Sequence, residues 1–194
     1  QIRSSAASDV YKRQMLELPL IIINVQRGGP STGLPTKTEQ SDLLQAVYGR
    51  NGEAPIPVFA PSSPSDCFLV TYNACKIALK FMTPVIILSD GYIANGAEPW
   101  NYPVLSDLED FEYEFEKSKS SEKFNPYLRN ENFVRNWAIP GTKDLEHTIG
   151  GLEKDNDSGD VSYEPENHQL MVKIRQAKVN NISNFMPSTK LSGI

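Results

Sequence analysis

The sequence is poor in the residues that most directly carry metal and redox chemistry. Its 194 residues include two cysteines and two histidines. Cys67 and Cys75 lie in one stretch of helical spacing, about 12 Å apart at roughly 1.5 Å of rise per residue, which is too far for a disulfide. They lack C-x-x-C spacing, so the chain supplies no ligand set for an iron–sulfur cluster. Free thiols fit a reducing, cytoplasmic setting. His147 and His168 fall in different elements, and no H-E-x-x-H or G-x-S-x-G pattern occurs. Both read as structural or surface histidines. A basic surplus is also missing: the net charge is −5 with scattered Lys and Arg, which excludes the footprint of a nucleic-acid binder. Long apolar runs are absent too. The longest, "LPLIIINV" and "PVIIL", have strand length, so no membrane span is expected. The opening residues, "QIRSSAASDVYKRQ", lack an initiating Met, a signal-peptide apolar core and any periodicity. Residues 1–14 are therefore expected to be a non-native prefix, with native sequence starting near Met15.

What is present reads as one α/β domain with a hydrophobic content of 39%. "LPLIIINV" (18–25) predicts a strand buried on both faces, and the glycine-rich "RGGPSTGLPTKTE" follows it. "TEQSDLLQAVYG" predicts a helix stopped at Gly49, and "PVFA" a short second strand. A second helix is expected from an N-cap at Ser63 with Pro64 at its first position, carrying Phe68, Tyr72, Cys75, Leu79 and Met82 as its apolar stripe. "TPVIILSD" (83–90) predicts a third strand, leading into "DGYIAN". The order implies a mainly parallel sheet with site loops at the C-terminal strand ends. Beyond Trp100, "DLEDFEYEFE" alternates aromatics with acids, as an edge strand or a linker would. "PENHQLMVKIRQAKVNNISNF" predicts one long helix with Leu170, Ile174, Ala177, Ile182 and Phe185 on one side.

The loop after the first strand is the main candidate site. Gly28 and Gly33 have P-loop spacing, but Leu34 and Pro35 stand where Lys and Ser/Thr must follow, and Pro35 removes a backbone donor. A nucleotide phosphate is disfavoured. A tight structural turn remains open. So does carboxylate binding: Arg27 at the strand end can grip a carboxylate with two parallel hydrogen bonds, and Ser31, Thr32 and Thr36 can donate to its neighbours. "DNDSGD" (155–160) misplaces the glycine of a calcium loop and reads as a solvated turn.

"QRGGPSTGLPTKTEQSDLLQAVYGRNGEAP" resembles the α subunits of 2-oxoacid:ferredoxin oxidoreductases, the 2-oxoglutarate enzymes (2-oxoglutarate synthases) above all. "VFAPSSPSDCF", "TPVIILSDGYIANGAEPW", "WAIPGT" and "SYEPENHQLMVKIRQAKV" continue the resemblance in order, over residues 16–187. It implies a thiamine diphosphate-dependent enzyme that converts a 2-oxoacid, coenzyme A and oxidised ferredoxin into acyl-coenzyme A, carbon dioxide and reduced ferredoxin. It implies that the β subunit binds most of the thiamine diphosphate and magnesium and carries a [4Fe-4S] cluster. Arg27 falls on the family arginine that pairs with the substrate carboxylate, and Thr36 on the threonine that closes the same loop. The division implied is residues 15–100 as the C-terminal part of a pyrimidine-binding α/β domain, 101–163 as a linker, and 164–187 as a helix leading to a following domain. The upstream half of the domain, with its Y-P-I-T-P-like segment and activating glutamate, is missing. The expectation is a fragment truncated at both ends and inactive alone. Pyruvate or a branched-chain 2-oxoacid is an alternative substrate, and a non-catalytic assembly module an alternative role.

Overall fold

The computed structural model describes residues 10, 12–30, 32–49, 53–111, 113–117 and 123–186. Three parallel strands form the sheet: β1 (Leu20–Gln26), β2 (Val58–Phe59) and β3 (Pro84–Asp90), in the order β1-β3-β2. β3 is central and buried along its whole length, as its unbroken apolar run predicts. Its side chains alternate between two clusters. Val85 and Ile87 pack with Ala74, Ile77, Ala78 and Phe81 of helix α2 (Asp66–Phe81) and with Ile182 of the long helix. Ile86 and Leu88 pack on the other face with Ala46 of helix α1 (Leu43–Tyr48) and with Ile56. Helices on both faces of a parallel sheet make the chain α/β.

Four expectations need correction. Among the described residues β1 pairs only with β3 and lies at the edge of the sheet, and Ile23 and Val25 are 58% and 46% exposed rather than buried. α1 begins at Leu43, because Gln40 and Asp42 before it bond back to the strand ends instead of joining a helical turn. α2 begins at Asp66 after Ser65, not at Pro64; Ser62 donates twice to the Asp66 carboxylate, and this local turn takes up the segment where the cap was expected. Its buried face is Ala74, Ile77, Ala78 and Phe81, whereas Phe68 and Tyr72 are only half-buried, under Trp100 and Phe111. Of the two readings of "DLEDFEYEFE", the described residues follow the linker: they form no strand, and one bridge joins Phe115 to Trp137. After "DGYIAN" forms the short helix α3 (Gly91–Asn95), the long helix α4 spans Pro165–Ile182.

The N-terminal residues also depart from expectation. Residues 12–16 are helical, Val10 is 4% exposed in the cluster with Ile86 and Leu88, and Gln14 is buried. Residues 10 and 14 therefore belong to the packed body rather than to a loose prefix. Residues 1–9 lie outside the described residues.

The face that α4 buries is not the expected stripe. Ile174 and Ile182 are buried, but Leu170 and Phe185 are exposed and their places are taken by Met171, Arg175 and Lys178. The two cations are buried because carboxylates meet them. Arg175 forms a two-pronged pair with Glu153 at 3.0 and 3.1 Å. Lys178 and Arg129 each approach Glu17 at 2.5 Å. Burial alone would raise the Glu17 pKa, but the Lys178 and Arg129 charges outweigh it and bring it down to about 2. Beside this triad, the Tyr127 ring carries Arg129, Arg135 and Lys154 at 5.7, 5.1 and 5.2 Å from its centroid. Burial pushes the phenol up to about 12 and pulls the Lys154 ammonium down to about 8. This cluster fastens the long excursion after α3, and α4, to the segment entering β1.

Candidate functional site

The loops after β1, β2 and β3 meet at one end of the sheet, as parallel strands require. The loop after β1 starts at Arg27 and folds back on itself. Gly28 donates to the Lys37 carbonyl at 2.8 Å, Leu34 donates to the Gly28 carbonyl at 3.0 Å, and Lys37 donates to Leu34 at 3.0 Å. Gly33 is needed for this closure, since a Cβ there would lie 2.6 Å from the Gly29 carbonyl oxygen. The Gly28–Lys37 bond draws together the backbone of the residues that follow Arg27 and Thr36. Arg27 is partly buried, and no hydrogen-bond or ion-pair partner for its guanidinium is found among the described residues. Thr32 and Thr36 are exposed on the loop, and Ser31 lies outside the described residues. At this end of the sheet the loop therefore presents one partly buried cation, Arg27, and two exposed threonines.

The loop after β3 is organised by Asp90, which caps α3 by accepting from the backbone N–H groups of Tyr92 and Ile93 at 2.7 and 2.9 Å. Its other oxygen accepts from Gln40 at 2.7 Å, and these bonds, the Gln40 one foremost, hold its pKa below the usual carboxylate range. The loop after β2 joins the group through Glu98, which accepts from the Ser65 backbone N–H, and through Pro64, which lies against Gly96. Gln26, Gln40, Asp42 and Asp90 were not among the residues expected from the sequence. Their signal was a switch from apolar to polar at the ends of "LIIINVQ" and "VIILSD", and in the "EQSD" that precedes α1.

Other sequence candidates fall elsewhere. Asp155 of "DNDSGD" accepts from the N–H groups of Asp157 and Ser158, so the segment is a turn, and Gly159 adopts φ +76° against the Tyr127 ring. His168 pairs with Glu153, and His147 contacts the Leu145 carbonyl. Cys67 and Cys75 are half-buried free thiols, both pushed up in pKa by burial. No group of three His, Cys, Asp or Glu side chains is gathered for a metal among the described residues. A cleft of about 300 Å³ between residues 116 and 145, lined by Lys123, Phe124, Arg129 and Asn136, stands apart from the strand ends. No described helix is long and apolar enough to cross a membrane.

Comparisons with known proteins place the chain in a family. The family described as pyruvate flavodoxin/ferredoxin oxidoreductase, thiamine diphosphate-binding, matches residues 4–165. The 2-oxoglutarate oxidoreductase subunit KorA of Mycobacterium tuberculosis is 60% identical over 169 residues, 87% of this chain and 26% of that protein. The 2-oxoglutarate synthase subunit KorA of Methanothermobacter thermautotrophicus is 34% identical over 159 residues, 82% of this chain and 41% of that protein. A solved structure, the 2-oxoglutarate:ferredoxin oxidoreductase from Magnetococcus marinus with 2-oxoglutarate, coenzyme A and succinyl-CoA bound, superposes with a TM-score of 0.83 and 33% identity. It covers 96% of this chain and 32% of its own. The chain therefore spans between about a quarter and two fifths of the length of these relatives.

Proposed function

Because the chain belongs to the thiamine diphosphate-binding family of pyruvate flavodoxin/ferredoxin oxidoreductases, we propose that it is part of the α subunit of a 2-oxoglutarate:ferredoxin oxidoreductase. Within that enzyme its strand-end loop holds the carboxylate of the 2-oxoacid. The observation that carries the reading is Arg27, partly buried at the end of β1 with no partner for its guanidinium among the described residues. A guanidinium there can form two parallel hydrogen bonds to a carboxylate, with Thr36 and Thr32 completing the oxygens' partners and Ser31 adjoining. Thiamine diphosphate, when bound, supplies the electron sink for decarboxylation. This chain's part is to orient the substrate and exclude water from its charged end. The donor set at the strand ends fits an anionic acid. It does not fit magnesium, for which the described residues gather no ligand group. The family resemblance assigns the diphosphate, its magnesium and a [4Fe-4S] cluster to the β subunit, with coenzyme A and ferredoxin as the remaining partners. The proposed setting is the cytoplasm, where the two thiols stay reduced. Two-oxoglutarate is favoured over pyruvate or a branched-chain 2-oxoacid by the relatives named above, since Arg27 grips the carboxylate that all three share.

The test is anaerobic, coenzyme A-dependent viologen reduction by the full-length subunit with its β subunit. Wild type and Arg27→Ala would each be offered 2-oxoglutarate, pyruvate and 2-oxoisovalerate. Activity greatest on 2-oxoglutarate and reduced at least a hundredfold in the variant, about 3 kcal/mol of transition-state stabilisation, is expected. Robust activity of Arg27→Ala would show that the carboxylate is held elsewhere.

A further inference from the structure

Every described residue from 32 to 41 is exposed, so no apolar anchor holds the carboxylate loop in place. What holds its exit is a set of side-chain hydrogen bonds to the sheet. Gln26 is a buried amide at the end of β1, with both polar ends engaged. Its Nε2 donates to the Ser89 carbonyl at 3.2 Å, and its Oε1 accepts from the Asp42 backbone N–H at 2.9 Å. Asn24 donates to the Asp42 carboxylate at 2.8 Å. Across the ladder, Asp90 is the register partner of Gln26. One Asp90 oxygen is occupied by the N–H groups of Tyr92 and Ile93, which aims the other at Gln40, 2.7 Å away. Arg27 is the next residue along the chain.

We infer that Gln26, Gln40, Asp42 and Asp90 are positioning residues, a polar clamp that closes the loop of residues 27–41 against the last rung of the β1–β3 ladder and thereby fixes the Arg27 guanidinium for the 2-oxoacid carboxylate. The inference rests on the carboxylate-binding reading of Arg27. A carboxylate already oriented by two backbone donors makes a strong, directional acceptor, and a bond to an ionised partner is worth more than one between neutral groups. A bidentate contact is lost by a displacement of about 1 Å, so a loop held only by exposed turns would not sustain it.

The experiment uses the complete complex with wild type, Gln40→Leu, Asp90→Asn, Arg27→Lys and Gln40→Leu/Arg27→Lys, assayed by viologen reduction. Gln40 is exposed, so leucine there opens no cavity. Gln40→Leu is expected to raise KM for 2-oxoglutarate about tenfold. The KM for coenzyme A and the thermal transition should stay unchanged. Asp90→Asn, which replaces the charged acceptor by a neutral amide that a turned-over Gln40 can still meet, should raise KM by less than Gln40→Leu does. In the Arg27→Lys background the fork that the clamp protects is gone, so Gln40→Leu should cost less than about threefold. Wild-type KM in Gln40→Leu, alongside a large defect in Arg27→Lys, would overturn the clamp and leave the carboxylate reading standing. A full further tenfold loss in the double variant would also overturn it, by showing that Gln40 does not act through Arg27. Undiminished kcat/KM in Arg27→Lys and in Arg27→Ala would instead refute the carboxylate reading itself.

Discussion

Replacing Glu17 by glutamine should loosen the attachment of α4 more than any surface change could. Glu17 is 2% exposed, and its two oxygens are taken by Arg129 and Lys178, whose side chains are themselves almost fully buried. Glutamine keeps the shape but leaves two buried cations without a counter-charge, beside Arg135 and Lys154, which already lack carboxylate partners among the described residues. Breaking a buried ion pair from one side costs about 3–5 kcal/mol. Proton linkage gives a second route to the magnitude. The Glu17 pKa falls from 4.5 to about 2 on folding, so between those values the unfolded chain binds more protons than the native one. That contribution is complete above pH 4.5 and is lost as pH drops toward 2; it amounts to roughly 3 kcal/mol. The two routes agree. Hydrogen exchange of the amides in residues 171–182 of the full-length subunit reads the effect locally, and 3 kcal/mol corresponds to opening about a hundredfold more often. Adding Lys178→Met to Glu17→Gln should recover part of the protection, because one stranded charge is removed with its partner. Exchange within about threefold of wild type in Glu17→Gln, or no recovery in the double variant, would refute the reasoning.

Three further outcomes are expected. The Lys154 pKa lies near 8 in the native state against 10.5 for a free lysine, so the unfolded state holds the extra proton between those values and stability should rise with pH across that window; Lys154→Met should flatten the rise, as followed by the thermal midpoint at pH 8 and 10. Gly159→Ala places a Cβ 2.6 Å from the Tyr127 ring at φ +76°, and should destabilise by about 2 kcal/mol or more, read by urea unfolding monitored at residues 127–182. Removing residues 1–14 takes away Val10 and exposes the apolar face it covers, so hydrogen exchange in residues 84–90 should increase, by an amount matching about 1.5–3 kcal/mol for one buried valine; unchanged exchange would show that Val10 merely rests on that face.

Residues with uniform surroundings were readable in advance. β3 is apolar from Pro84 to Leu88, where both its faces are covered, and its sequence marks it as a strand. β1 has nearly the same composition, yet it ends as an edge strand, because sheet order depends on which strands pair at long range and leaves no local trace. Arg27 was legible as a cation standing directly after a strand. Its clamp was not: the bond of Gln40 to Asp90 spans 50 positions and that of Gln26 to Asp42 spans 16. The buried face of α4 was misread for the same reason. Lys178 is buried because Glu17, 161 positions away, stands beside it. A periodic pattern of apolar residues reports burial only where burial is apolar.

The ladder rung joining Gln26 to Asp90 also polices how the sheet assembles. Side chains alternate along a strand, so a slip of β1 by one residue would exchange Gln26 with Arg27. The guanidinium would then enter the socket between the Ser89 carbonyl and the Asp42 N–H. That socket was shaped for an amide that both donates and accepts, and arginine can only donate. The Asp42 N–H would lose its acceptor, and the charge would be buried with one weak partner. A misaligned sheet therefore raises its own energy at the very corner where the misalignment would disable the loop. Proofreading of the fold and integrity of the site are written into the same two residues.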